Sequence, residues 1–303
     1  MVLVAPDPVR RGSSNNGPAE VETGAAVPAG SSPSGAAAKA DLLARLRGST
    51  GVRPRFEGVA GGLRAWLEDA AFTDVAERGD GAPPLYLGPG RLLGPRDDPP
   101  LQCQGRSPER VLARLVRALF RQLVTVATIG DPLRDALDAL RADGSQADVV
   151  RHVESLGRSA RETLAESVGV HAEHLRALVP RFAPAFLPRT DDRVAIPLAG
   201  GRVVLGGVFD LLVGAGSRNE ASLCAIGLTV DGPLDRDRWA LHYLALLELL
   251  RNGTPPFRLA LLHSATGCYG VEDAREEHLR AVTAHVAEWL GAHGLRDTRH
   301  ADD

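Results

Sequence analysis

The stretch RVAIPLAGGRVVLGGVFDLLVG, residues 193–214, changes the period of the chain and decides how the rest is read. Val194, Ile196 and Leu198 alternate with their neighbours, as one face of a strand does when successive side chains point to opposite sides. Ala199-Gly200-Gly201 marks a turn, and Val203 to Val213 returns as a second strand, so the pair predicts a hairpin. Downstream, Ala221 to Val230 in ASLCAIGLTVDG reads as a third strand and Phe257 to His263 as a fourth. Between them, 235–251 reads as an amphipathic helix stopped by Asn252-Gly253, and a final helix runs from Glu272 to about Ala292.

Upstream of the hairpin the period is helical. Residues 1–38 are rich in Gly, Ala, Pro, Ser and Asn and bury too little apolar surface to offset ordering entropy, so a disordered tail is expected. Lys39, the only lysine, is read with that tail, and a short helix over 39–48 as the start of the fold. Leu63, Trp66, Leu67, Ala70 and Ala71 fall at helical spacing within 61–78. Residues 79–107 read as a long connection with one short strand at Leu85–Leu87. Ser107-Pro108-Glu109 is a strong helix start, for a helix to Thr128. Further helices are expected from Asp131-Pro132 to Arg141, over 145–156, and over 158–179 with an interruption near Gly169. The organisation is therefore a tail (1–38), a helical region (39–188), a strand-containing core (189–296) and a short tail (297–303).

Composition limits function. A net charge of −3 and a pI near 6.3 exclude a globally basic nucleic-acid binder, though not a local basic surface. No apolar run approaches the roughly 18–20 residues of a membrane span, and MVLVA is shorter than a secretory apolar core of about 7–15 residues. Cys103, Cys224 and Cys268 are dispersed, which fits reduced thiols and a cytoplasmic location without a membrane partner.

Four segments together carry a resemblance: GVFDLLVG, CAIGLTVDG, LHYLALLELL and LALLHSATG. They resemble the PD-(D/E)XK nuclease superfamily, in particular its RecB-like members. The resemblance implies an α/β (α+β) fold in which a helical N-terminal half precedes a three-strand meander, a helix, a strand and a helix. It also implies a catalytic Asp at a strand end and a Glu-x-Lys pair on the next strand, which together support Mg²⁺-dependent hydrolysis. The Asp corresponds to Asp210. The Glu and Lys positions hold Gly227 and Thr229, so the implied catalytic and metal set is broken and Asp210 is vestigial. Asp231, four residues beyond Gly227, lies roughly 13 Å away at about 3.3 Å per residue, and Glu220 lies off the other strand end. Glu248 is a candidate for a migrated carboxylate, and Gln104 stands where relatives carry a supporting Glu. His242 matches a position that faces nucleic acid in relatives, while Leu244 stands where a Tyr is sought. Some relatives carry an iron–sulfur cluster on four cysteines, which three cysteines cannot supply.

The expected function is a degenerate nuclease-fold protein that binds DNA or a protein partner in DNA processing and needs no cofactor. One rival is an active exonuclease or endonuclease using Mg²⁺ and migrated residues; another is a purely structural or interaction protein. Arg110, Arg114, Arg117 and Arg121 lie within about 60° of each other on the helix beginning at Pro108, opposite a leucine face; the stripe reads first as a solvated face and otherwise as a surface for phosphates or an acidic partner. His171 and His174, in HAEH, read as surface histidines. Gly88 and Gly90 lack the context of a nucleotide fingerprint, and no Walker or Gly-x-Ser-x-Gly pattern is present.

Overall fold

The hairpin is central to a computed structural model that describes residues 35–47, 56, 58–78, 83–94, 107–125, 128–144, 146–183, 186–214, 223–230 and 234–297. Its strands belong to a mixed sheet with six strands among the described residues. These are β1 (Leu85–Leu87), β2 (Arg189–Leu198), β3 (Val203–Val213), β4 (Cys224–Thr229), β5 (Arg258–His263) and β6 (Cys268–Asp273). The helices are α1 (Gly35–Arg47), α2 (Val59–Arg78), α3 (Pro89–Leu93), α4 (Pro108–Thr125), α5 (Pro132–Asp143), α6 (Ala147–Ser155), α7 (Arg158–Leu178), α8 (Leu234–Asn252) and α9 (Glu276–Asp297).

β3 organises the sheet. On one edge it pairs antiparallel with β2, from Arg189↔Leu212 to Leu198↔Val203. The turn between them needs left-handed backbone, with φ of 64° at Gly200 and 88° at Gly201, conformations that glycine adopts without steric cost. Ala199 is also left-handed, and its N–H donates to Glu68 Oε2 of α2 at 2.7 Å. The other edge of β3 is shared. β1 pairs parallel with Val203–Leu205, and β4 pairs antiparallel with Leu211–Val213. β5 then adds parallel to β4, and β6 antiparallel to β5.

The sheet separates two cores. One holds Val194, Ile196, Leu205 and Phe209 against α2, α8 and α9; the other holds Leu211, Val213, Ile226 and Leu228 against α4, α5, α6 and α7. The helical region and the strands thus share a core. α8 is not amphipathic as expected. Residues 241–249 are all buried, because the helix contacts β2, β3, β4 and β5 as well as α2 and α9. A helix enclosed on both sides loses its polar face.

Several boundaries differ from the sequence reading. Lys39 lies inside α1, whose Ala38, Leu42 and Leu46 are buried, so it is not part of a tail. Residues 1–34 and 298–303 lie outside the described residues, as do 221–222 of the expected third strand and most of 79–107. α4 ends at Thr125, and α7 runs through Gly169 without interruption. Glu272 and Asp273 belong to β6, and the last helix begins at Glu276.

Candidate functional site

Asp210 sits where β3 and β4 part. Beyond the Leu211↔Ile226 pair the strands diverge, and the Asp210 side chain takes over from the ladder. Its Oδ2 accepts the Leu228 N–H at 2.8 Å, and its Oδ1 accepts Arg117 Nε at 3.2 Å. Arg117 Nη2 also donates to the Leu228 carbonyl at 3.3 Å. One guanidinium from α4 therefore closes the fork, bonded to the carboxylate of one strand and the backbone of the other. Burial pushes the Asp210 carboxyl above its ordinary range, against the Arg117 charge and the Leu228 amide, which pull it down.

The other two expected positions do not open onto this carboxylate. A Cβ at Gly227 would meet Leu261 Cδ1 at 3.3 Å and Leu241 Cδ1 at 3.6 Å, so the space beside Gly227 is filled by apolar side chains of β5 and α8. Thr229 is buried, and its Oγ1 has no hydrogen-bond partner. Glu248 is wholly buried and bound by Arg251 and Asn252 on its own helix. Gln104, Glu220 and Asp231 lie outside the described residues.

The arginine stripe forms as the spacing predicted, but it faces carboxylates of the chain itself. Arg114 Nη1 lies 3.1 Å from Asp148 Oδ2 of α6, Arg117 binds Asp210, and Arg121 binds Asp191 of β2 with Asp143 Oδ2 of α5 at 3.9 Å. Arg110 lies in the first turn of the helix, where its N–H donates to the Ser107 cap at 3.4 Å. Helical periodicity places the four on one face; it says nothing about what packs opposite.

His242 is corrected more sharply. It is buried rather than facing outward, with Nε2 2.7 Å from Glu272 Oε1 and its ring stacked on His278. Tyr243 is also internal, its hydroxyl donating to the Leu87 carbonyl at 2.9 Å. Leu244 Cδ2 lies where a Cβ on Gly207 would be only 2.4 Å away, so this leucine packs into the space that a glycine leaves.

His171 and His174 are likewise not surface histidines. His171 is buried with Nδ1 2.9 Å from Ser264 Oγ, and His174 Nδ1 donates to the Ser264 carbonyl at 2.8 Å. Ser264 Oγ in turn donates to the Thr229 carbonyl at 3.1 Å. The pair clamps the turn after β5.

Among the described residues no helix is long and apolar enough to cross a membrane. No protein-family model matches the chain, and no curated protein matches it.

Proposed function

We propose that this chain has a PD-(D/E)XK-like core in which an internal arginine has taken over the cation position, and that it acts by binding a protein partner rather than by cutting nucleic acid. The observation that carries this reading is the contact of Arg117 with both Asp210 and Leu228 at the β3–β4 fork. The run β2, β3, β4, α8, β5 supports the core assignment by its order.

Mg²⁺ does not fit these residues. It requires an octahedron of oxygens at about 2.0–2.1 Å, anchored by one or two carboxylates. Among the described residues Asp210 has both oxygens engaged, by Arg117 and the Leu228 amide, the nearby Asp191 is bound by Arg121, and the expected ligand positions are a glycine packed by leucines and a buried threonine. The internal pairing of Arg114, Arg117 and Arg121 removes the strongest support for a phosphate-binding face. Tyr86 and Val208, 67% and 47% exposed on β1 and β3, are the kind of large apolar side chains a protein partner covers.

The test is direct. Purified chain is incubated with Mg²⁺ or Mn²⁺ and labelled single-stranded DNA, duplex DNA and RNA. No cleavage is expected, and duplex DNA should not bind at low salt. Cleavage that disappears in Asp210→Ala would overturn the non-catalytic reading. Salt-dependent duplex binding that weakens in Arg114→Gln would restore the nucleic-acid one.

A further inference from the structure

β6, which the sequence reading missed, brings Glu272 beside two histidines from different helices. His242 comes from α8 and His278 from the first turn of α9. Their rings stack with centroids 4.5 Å apart and planes inclined by 17°. One ligand atom from each of His242, Glu272 and His278 lies within 4.8 Å of the other two. His278 Nδ1 is buried and has no hydrogen-bond partner.

We propose that His242, Glu272 and His278 form a binding site for one divalent transition-metal ion of the zinc type. The donor set sets the class. Two imidazole nitrogens and a carboxylate oxygen suit Zn²⁺ and its first-row neighbours, at about 2.0–2.2 Å, whereas Mg²⁺ and Ca²⁺ take oxygen. The unpartnered His278 nitrogen supplies the second argument. A buried polar atom left unbonded is costly, and a metal ion is a partner to which the nitrogen can donate its lone pair. Glu277 Oε1 lies 3.8 Å from His278 Nε2, which favours the proton on that nitrogen and keeps Nδ1 as the lone pair.

The surroundings fit such a role. Arg238 Nε lies 3.1 and 3.0 Å from the two oxygens of Glu272, so the carboxylate is oriented from outside, as the ligating carboxylates of metal sites commonly are. His242 Nε2 now donates its hydrogen to Glu272 Oε1. A metal bound at His242 Nε2 would take the place of that hydrogen bond, with the ring's hydrogen on Nδ1. Three protein ligands leave a fourth position for water. None of these residues belongs to the Asp210 fork, so the site stands or falls independently of the nuclease reading.

The experiment uses tag-free full chain stripped with a chelator, titrated with Zn²⁺ against a chromophoric competitor and with Co²⁺ by visible absorption. One equivalent of Zn²⁺ should bind, and the Co²⁺ form should show d–d bands without the near-ultraviolet band of thiolate ligation. His278→Gln and His242→Gln should each weaken Zn²⁺ binding by about tenfold or more. Far-UV circular dichroism in the absence of metal should match the wild type, and His278→Gln carries the test if His242→Gln unfolds. Absence of stoichiometric Zn²⁺ binding by the wild type overturns the proposal. A thiolate band does so too, as does unchanged affinity in His278→Gln.

Discussion

Replacing Arg117 by Met keeps most of the hydrocarbon stem but removes the charge facing Asp210 and the donor to the Leu228 carbonyl. A loss of about 1–2 kcal/mol is expected in urea denaturation, since bonds to charged groups are worth about 1.5–3 kcal/mol before the partial exposure of Arg117 is discounted. An unchanged midpoint would mean that the fork closes without it. Asp210 adds a pH signature. Its native carboxyl holds a proton more tightly than the unfolded chain does, so its contribution to stability falls as pH rises from the ordinary carboxylate range through the raised native value. Asp210→Asn abolishes that titration, and its stability relative to wild type should improve across the same window in melts at stepped pH. A constant offset would contradict the raised carboxyl. At the neighbouring strand, Gly227→Glu drives a carboxylate among Leu241 and Leu261. It should cost about 3 kcal/mol or more. Combined with Thr229→Lys, it should still yield no metal-dependent cleavage; a folded, cleaving double variant would show that the space can reopen.

His171 and His174 hold the backbone and side chain of Ser264, and through it the turn to β6. Replacing both with Ala should cost about 2–4 kcal/mol from two lost hydrogen bonds and the space left behind. Amide exchange should accelerate at Ser264 and Gly267, whose N–H groups donate to the Thr229 and His263 carbonyls. Protection unchanged at both amides would remove the clamp from the account. Elements of this fold were legible where local chemistry alone decides them. The β2–β3 hairpin followed its alternation, and α5 began at Asp131-Pro132 as expected, with the Asp131 side chain capping it, though it runs two residues past Arg141. β6 was not legible because its alternation is too short to stand out: only Tyr269 and Val271, both half-buried against the core, mark its inner face. The polarity of α8 was misread because burial from both sides is a property of the neighbours. For the candidate site, Asp210 was singled out through the resemblance, but its partner was not. Arg117 lies 93 positions away, and nothing in a helical stripe says which carboxylate it will meet.

On the scale of the molecule, α1 is an integral part of the core that packs on the α4 and α7 side. Ala38, Leu42 and Leu46 are buried, and α1 contacts α7 and β6. A chain beginning at Gly35 should therefore be more stable than one beginning at 48 by about 3 kcal/mol or more, two buried leucines being worth about 1.5–3 kcal/mol each. Equal melting of the two would show that the helix only rests on the surface.

The divided edge of β3 has a mechanical consequence. β1 grips the beginning of that edge and β4 grips its end, while between them a tyrosine hydroxyl and an aspartate stand in for a ladder. The two wings of the sheet are thus joined in series through one strand, and β2 is the splint along the joint. Load applied to either wing reaches the other through β3, which β2 and the overlying α8 brace. Slow exchange at the protected amides of β1 and of β4 should accordingly report a single shared opening.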